Sequence, residues 1–180
     1  MSEIRNILIT GGAGYVGSTL VGLLLDEGYR IRVVDNLMYD PCSLASYTGN
    51  LNFEFILGDL NERCVREQAM VGMDSVVHLA AIVGDPACSR HPEYATKNNY
   101  DLTMELTRIA KDNGIRKFIF SSTCSNYGIK NNDEFCTEET PLNPVSTYAV
   151  SKVKSEDFLL KETTKYFYPT ILRFSTIYGI

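Results

Sequence analysis

Asn6-Ile-Leu-Ile-Thr-Gly-Gly-Ala-Gly-Tyr-Val-Gly17 runs an apolar segment straight into a cluster of glycines. Residues 7–9 are continuously apolar, without polar alternation, as in a parallel strand buried on both faces. A helical pattern opens directly behind the glycines. Two registers fit: G-x-G-x-x-G at Gly12, Gly14 and Gly17, and G-x-x-G-x-x-G at Gly11, Gly14 and Gly17. In either, one glycine makes a tight turn, one lets a phosphate approach the backbone, and one lets the helix pack on the strand. The helix start at Tyr15 and Val16 then offers unpaired N–H groups and a partial positive charge to an anion.

Working outward, apolar runs at 30–35, 53–57, 75–79, 117–121 and 170–174 read as further buried parallel strands, and segments 14–27, 61–70, 92–113 and 146–164 read as helices. Gly28 and Asn113-Gly114 are stop signals. Strand alternating with helix predicts an α/β fold, a doubly wound parallel sheet of Rossmann-like type. The polar, proline-containing stretch 129–144 reads as a surface loop. The last strand runs into Phe174-Ser-Thr-Ile-Tyr-Gly-Ile180 without a closing element. Residues 1–180 therefore read as a cofactor-binding domain truncated before most of a C-terminal substrate-binding part.

Two acids stand at the carboxyl ends of predicted strands. Asp35, in Val33-Val-Asp-Asn36, lies about 20 residues beyond the glycines, where a carboxylate accepts both hydroxyls of an adenosine ribose. It would repel a 2′-phosphate, and Asn36, Leu37 and Met38 supply no cation, so the expected cofactor is NAD rather than NADP. The plainer alternative makes Asp35 a strand-end turn residue. Asp59, in Gly58-Asp-Leu60, can accept from an adenine amino group while the Leu60 N–H serves a ring nitrogen; equally, it can cap a helix ahead of Asn61-Glu-Arg.

Composition narrows the function. The 180 residues are 44% hydrophobic and 22% charged, ordinary for a soluble domain, and the formal charge of −5 leaves no footprint for nucleic acid. No apolar stretch approaches the roughly 20 residues of a membrane span, and no signal-peptide pattern follows Met1, so a cytoplasmic protein is expected. Five widely spaced cysteines without C-x-x-C suggest neither metal nor disulfide framework. His78 and His91 are the only histidines, and nothing pairs either with a nucleophile. In the last predicted helix Tyr148 and Lys152 share a face at i and i+4. An ammonium beside a phenol favours the phenolate and makes an acid/base. A Tyr and Lys at this spacing also suit a solvated helix edge.

With these pieces in order, the chain resembles the extended short-chain dehydrogenase/reductase family, the NAD-dependent sugar-nucleotide epimerases and dehydratases. The resemblance extends to His78-Leu-Ala-Ala81, Asn99, Ser121-Ser-Thr-Cys-Ser-Asn-Tyr-Gly128, Tyr148-Ala-Val-Ser-Lys152 and Leu172-Arg173. It implies that Tyr148 exchanges the proton of a sugar hydroxyl as hydride moves to or from the nicotinamide. Lys152 would hold the nicotinamide ribose and favour the Tyr148 phenolate, and Thr123 would hydrogen-bond the same sugar oxygen. Leu79, Ala80 and Ala81 would wall the cofactor, Asn99 would lie near its nicotinamide end, and His78 would place backbone. A nucleotide-sugar substrate and a homodimer are implied as well.

The departures point within the family. Dehydratases typically carry Asp-Glu after the catalytic Thr; here Cys124 and Ser125 follow, a thiol and a hydroxyl unsuited to removing water. Cys124 reads as a small core-facing residue, with a reactive thiol as the alternative. Thr176 replaces a frequent Asn and Leu102 a frequent Gly. The reading is an NAD-dependent epimerase of a nucleotide sugar acting through a transient keto intermediate. The alternatives are a reductase, dehydrogenase or decarboxylase with the same three residues, and a non-catalytic nucleotide sensor.

Overall fold

A computed structural model describes residues 4–83, 88, 90–130 and 135–179; part of the predicted loop 129–144 lies outside them. Among the described residues six strands form one parallel sheet: β1 (Asn6–Thr10), β2 (Arg30–Asp35), β3 (Phe53–Leu57), β4 (Ser75–His78), β5 (Lys117–Thr123) and β6 (Tyr168–Phe174). Their order is β3-β2-β1-β4-β5-β6, so the chain reverses direction across the sheet between β1 and β4. A crevice opens outside the carboxyl ends at such a switch point, where ligands of doubly wound folds bind.

Neighbouring residues of each strand feed opposite layers. Ile7 and Ile9 of β1, Ile31 and Val33 of β2, and Val77 of β4 pack with Val21 and Leu25 of α1 (Tyr15–Asp26). Leu8, Val34, Val76, Phe118 and Phe120 face the other layer. There they meet Met70 of α2 (Arg63–Met70), Leu106 of α4 (Leu102–Asp112) and Leu159 of α5 (Thr147–Lys161). Full burial of each aromatic or aliphatic side chain contributes about 1.5–3 kcal/mol, which is why continuous apolar strands win over alternating ones here.

The predicted helix 92–113 is not continuous. It comprises α3 (Pro92–Thr96), a π-helical turn (Lys97–Asp101) and α4. The wider turn buries Asn98 and Asn99 while Leu102 and Leu106 still face the sheet. Pro92 begins α3, where its missing N–H costs nothing. Helix α5 starts where the Ser146 hydroxyl accepts from the Ala149 N–H at 3.2 Å, which puts Tyr148 in its first turn.

Candidate active site

The glycine turn folds back at the switch point. Gly11 has φ +70°, and a Cβ there would lie 2.6 Å from the Ala80 nitrogen, so β1 and the loop after β4 touch backbone to backbone. A Cβ on Gly17 would lie 2.6 Å from the Gly12 Cα, which brings α1 against the turn. A cleft of about 980 Å³ opens above them. Gly14, Tyr15 and Val16 line its floor, and Leu79, Ala80 and Ala81 line one wall.

Asp35 lines the cleft and reaches the turn directly. Its carboxylate accepts from the Ala13 N–H at 3.0 Å and the Leu37 N–H at 2.8 Å. Leu37 adopts φ +56° in making that contact, a left-handed backbone that a branched aliphatic residue takes only when its surroundings hold it there. Asn36 lines the cleft and accepts from the Met38 N–H. Asp59 and Leu60 line the same end. Asp59 does not cap α2, which begins only at Arg63. Its Oδ1 instead accepts from the Asn61 N–H at 2.8 Å and the Asn61 side-chain amide at 2.9 Å. Asn61 continues to Asn98 Oδ1 at 2.9 Å, bridging from β3 to the π-helical turn.

At the other end of the cleft stand Thr123 and Tyr148. The Thr123 hydroxyl oxygen accepts from the Ser125 N–H at 3.1 Å, which leaves its own proton free to donate into the cleft. Lys152 sits one layer behind, 2% exposed; its ammonium donates to the Ser121 carbonyl at 2.8 Å and lies 4.5 Å from the Phe120 ring centroid and 5.8 Å from that of Tyr148. Burial lowers the Lys152 pKa to about 8, against the upward pull of Glu156 and Cys88. Cys124 does not face the core. The 3₁₀ turn Cys124–Tyr127 turns Asn126 and Tyr127 inward and leaves the thiol exposed.

Asn99 is also behind the cleft wall. Its side-chain oxygen accepts from the Ile82 N–H at 2.8 Å and its amide donates to the Ile82 carbonyl at 3.0 Å, so it clamps the end of the Leu79–Ile82 wall. His78 belongs to the same support. The Thr103 hydroxyl donates to Asn99 O at 2.8 Å, so toward His78 Nε2, 3.1 Å away, it can only accept. The ring therefore carries its proton on Nε2, and Nδ1 accepts from the Thr10 hydroxyl at 2.7 Å. Burial, with the nearby Lys152 charge second, lowers the His78 pKa to about 3 and keeps the ring neutral.

Residues missed by sequence reasoning include Ala13 and Leu37, whose backbone N–H groups carry no side-chain signal, and Ser121, which acts through its carbonyl. Glu156 did carry a signal, lying one turn beyond Lys152 on the same face of α5.

Sheet order, glycine turn and cleft are those of a Rossmann-like α/β protein. Residues 7–180 match the NAD dependent epimerase/dehydratase family, and the chain belongs to it. It is 35% identical over 164 residues to UDP-glucose 4-epimerase 2 of rice (Oryza sativa subsp. japonica), covering 86% of this chain and 40% of that protein. The UDP-glucose 4-epimerase of Thermotoga maritima, solved with UDP-glucose, superposes with a TM-score of 0.87 at 32% identity, covering 97% of this chain and 57% of that one. The UDP-glucuronic acid 4-epimerase of Bacillus cereus, solved with UDP-glucuronic acid and NAD, gives 0.88 at 29% identity, covering 97% and 58%. The chain thus spans between two fifths and three fifths of the length of these relatives. Among the described residues no helix is long and apolar enough to cross a membrane.

Proposed function

We propose that this chain is the NAD-binding, catalytic part of an enzyme that epimerises a UDP-linked sugar. The observation that carries the reading is that one cleft joins the glycine turn and Asp35 to Thr123 and Tyr148, with Lys152 directly behind. The residues fit the cofactor: the turn from Gly11 to Gly17 lines the cleft, with glycine needed at 11 and 17 for β1, α1 and the Ala80 loop to pack together, and the Asp35 carboxylate is bonded to that turn through the Ala13 N–H. The UDP-sugars named for the relatives supply the substrate class.

NAD bound along the cleft would accept a hydride from a sugar carbon and return it. Asp35 would take the adenosine ribose hydroxyls, and Asp59 with the Leu60 N–H the adenine edge. Thr123 donates to the sugar oxygen with the hydroxyl proton that its bond from the Ser125 N–H leaves uncommitted. Tyr148 removes the proton from the same oxygen and later restores it. The first turn of α5 and the Lys152 ammonium both favour negative charge on the phenol oxygen. Reduction of the transient keto sugar from its other face inverts the centre. With no carboxylate at Cys124 or Ser125, water loss lacks its acid and base. A C-terminal substrate-binding part and a homodimer belong to the same proposal.

The test incubates the full-length protein and NAD with UDP-, dTDP-, GDP- and CDP-sugars and resolves the products by NMR. Epimerised UDP-sugar without net NADH is expected, with Tyr148→Phe slower by about 10²-fold or more. Wild-type protein that leaves every sugar unchanged, or that forms NADH stoichiometrically, overturns it.

A further inference from the structure

We propose that Glu156 is a positioning residue for the proton-transfer pair: it holds the end of β5 behind Thr123 and sets a fixed negative charge one helical turn from the Lys152 ammonium. The inference rests on the catalytic reading above and adds to it a residue that touches neither cofactor nor substrate.

The Glu156 carboxylate is buried at the junction of four segments. Its Oε1 accepts from the Ser122 hydroxyl and from the Asn126 amide at 2.7 Å. Its Oε2 accepts from Arg173 Nη2 at 2.6 Å and from Arg173 Nε at 3.0 Å, a forked ion pair with β6. Arg173 also donates to the Tyr127 hydroxyl at 3.1 Å and to the Glu138 carbonyl at 3.1 Å. Ser122 stands between the two residues that matter in the site: Ser121, whose carbonyl receives Lys152, and Thr123, whose hydroxyl enters the cleft. Fixing Ser122 therefore fixes both neighbours.

The charge has a second consequence. Among the described residues, Lys152 is faced from α5 by Tyr148 and Glu156, from β5 by the Ser121 carbonyl and the Phe120 ring, from β4 by the neutral His78, and by Cys88. Arg173 is bonded to Glu156 on β6. Burial works against the ammonium, and the Glu156 charge opposes that loss. The Glu156 carboxylate is buried while Arg173 is only partly so, and a buried carboxylate is costly to keep for stability alone, because an apolar side chain of similar size serves as well.

The experiment follows the ¹³Cε shift of Lys152 with pH in the wild type, Glu156→Asp, Glu156→Gln and the charge-neutral pair E156Q/R173Q, with kcat and KM for the UDP-sugar turned over. The neutral pair guards against the unpaired Arg173 unfolding the single variant. In E156Q and E156Q/R173Q the Lys152 midpoint should fall by about one unit, the alkaline limb of kcat should move with it, and KM should stay within about twofold, while Glu156→Asp keeps the wild-type midpoint. A merely structural Glu156 would lower the unfolding midpoint and leave Lys152 where it is; that result in both neutral variants overturns the proposal. Absence of turnover in the wild type overturns the epimerase reading instead, and the titration still judges Glu156.

Discussion

Gly11→Ala puts the close approach of β1 to the Leu79–Ala81 wall of the cleft to a quantitative test. The substitution imposes two separable penalties. The first is conformational: at φ +70° an L side chain costs about 1–2 kcal/mol. The second is steric, since the new methyl would sit 2.6 Å from the Ala80 nitrogen, 2.7 Å from its Cα and 3.1 Å from the Leu79 carbonyl carbon. All three are backbone atoms that no rotamer change can move, so the overpacking range of about 1–3 kcal/mol applies. Gly28→Ala isolates the first penalty: it has φ +84°, nothing lies within 4 Å of its Cβ position, and it stands at the far end of α1. Urea unfolding should show Gly28→Ala less stable than wild type by about 1–2 kcal/mol and Gly11→Ala by about 2–5 kcal/mol. Calorimetric titration with NAD should find Gly28→Ala unchanged and Gly11→Ala weaker by at least about tenfold, because relief of the clash pushes the Ala80 wall away from the turn. If Gly11→Ala is no less stable than Gly28→Ala, or binds NAD as wild type does, the close approach does not have the role assigned to it.

Two pH dependences follow from groups behind the cleft. His78 has a folded pKa of about 3 against 6.5, so the unfolded chain takes up a proton that the fold refuses; stability is unaffected above about pH 6.5 and falls as pH drops toward 3. Between pH 7 and 4.5 urea unfolding should register about 2–3 kcal/mol more loss in wild type than in His78→Gln, which has no proton to gain. Lys152 has a folded pKa of about 8 against 10.5, so its burial penalty is full below pH 8 and is relieved as pH rises toward 10.5. Stability should therefore climb by up to about 3 kcal/mol over that window, after other lysines are subtracted, and Lys152→Met should lack the climb.

What the sequence showed clearly was local in the chain. The strand, glycine turn and helix from Asn6 to Asp26 specify one another within a few residues, and all six strands lie where apolar runs placed them. The site depends on contacts that cross the chain and leave less trace. Asp35 was visible as a strand-end acid, but its orientation comes from the Ala13 N–H, 22 residues away, and from a strained Leu37 that no residue type announces. Cys124, expected to face the core, is exposed. The strand ends at Thr123, a 3₁₀ turn follows, and inward and outward exchange places. Asn99 was placed by resemblance alone; that both ends of its amide are held by Ile82 across a π-helical turn left no trace, since an extra residue in a helix of ordinary apolar period is silent in sequence. Glu156 is the instructive case. Tyr148, Lys152 and Glu156 recur every fourth residue on α5, so the face was legible, but a glutamate on such a face is indistinguishable from a solvated one until its partner is known. The partner, Arg173, sits 17 residues on in β6, and only the pairing of β5 with β6 along Ser122↔Arg173 brings the guanidinium to the carboxylate. Of the side chains proposed to carry the chemistry, Tyr148 and Lys152 are thus readable from spacing and Thr123 only from the resemblance, whereas the groups bonded behind them become readable only once the sheet order is known.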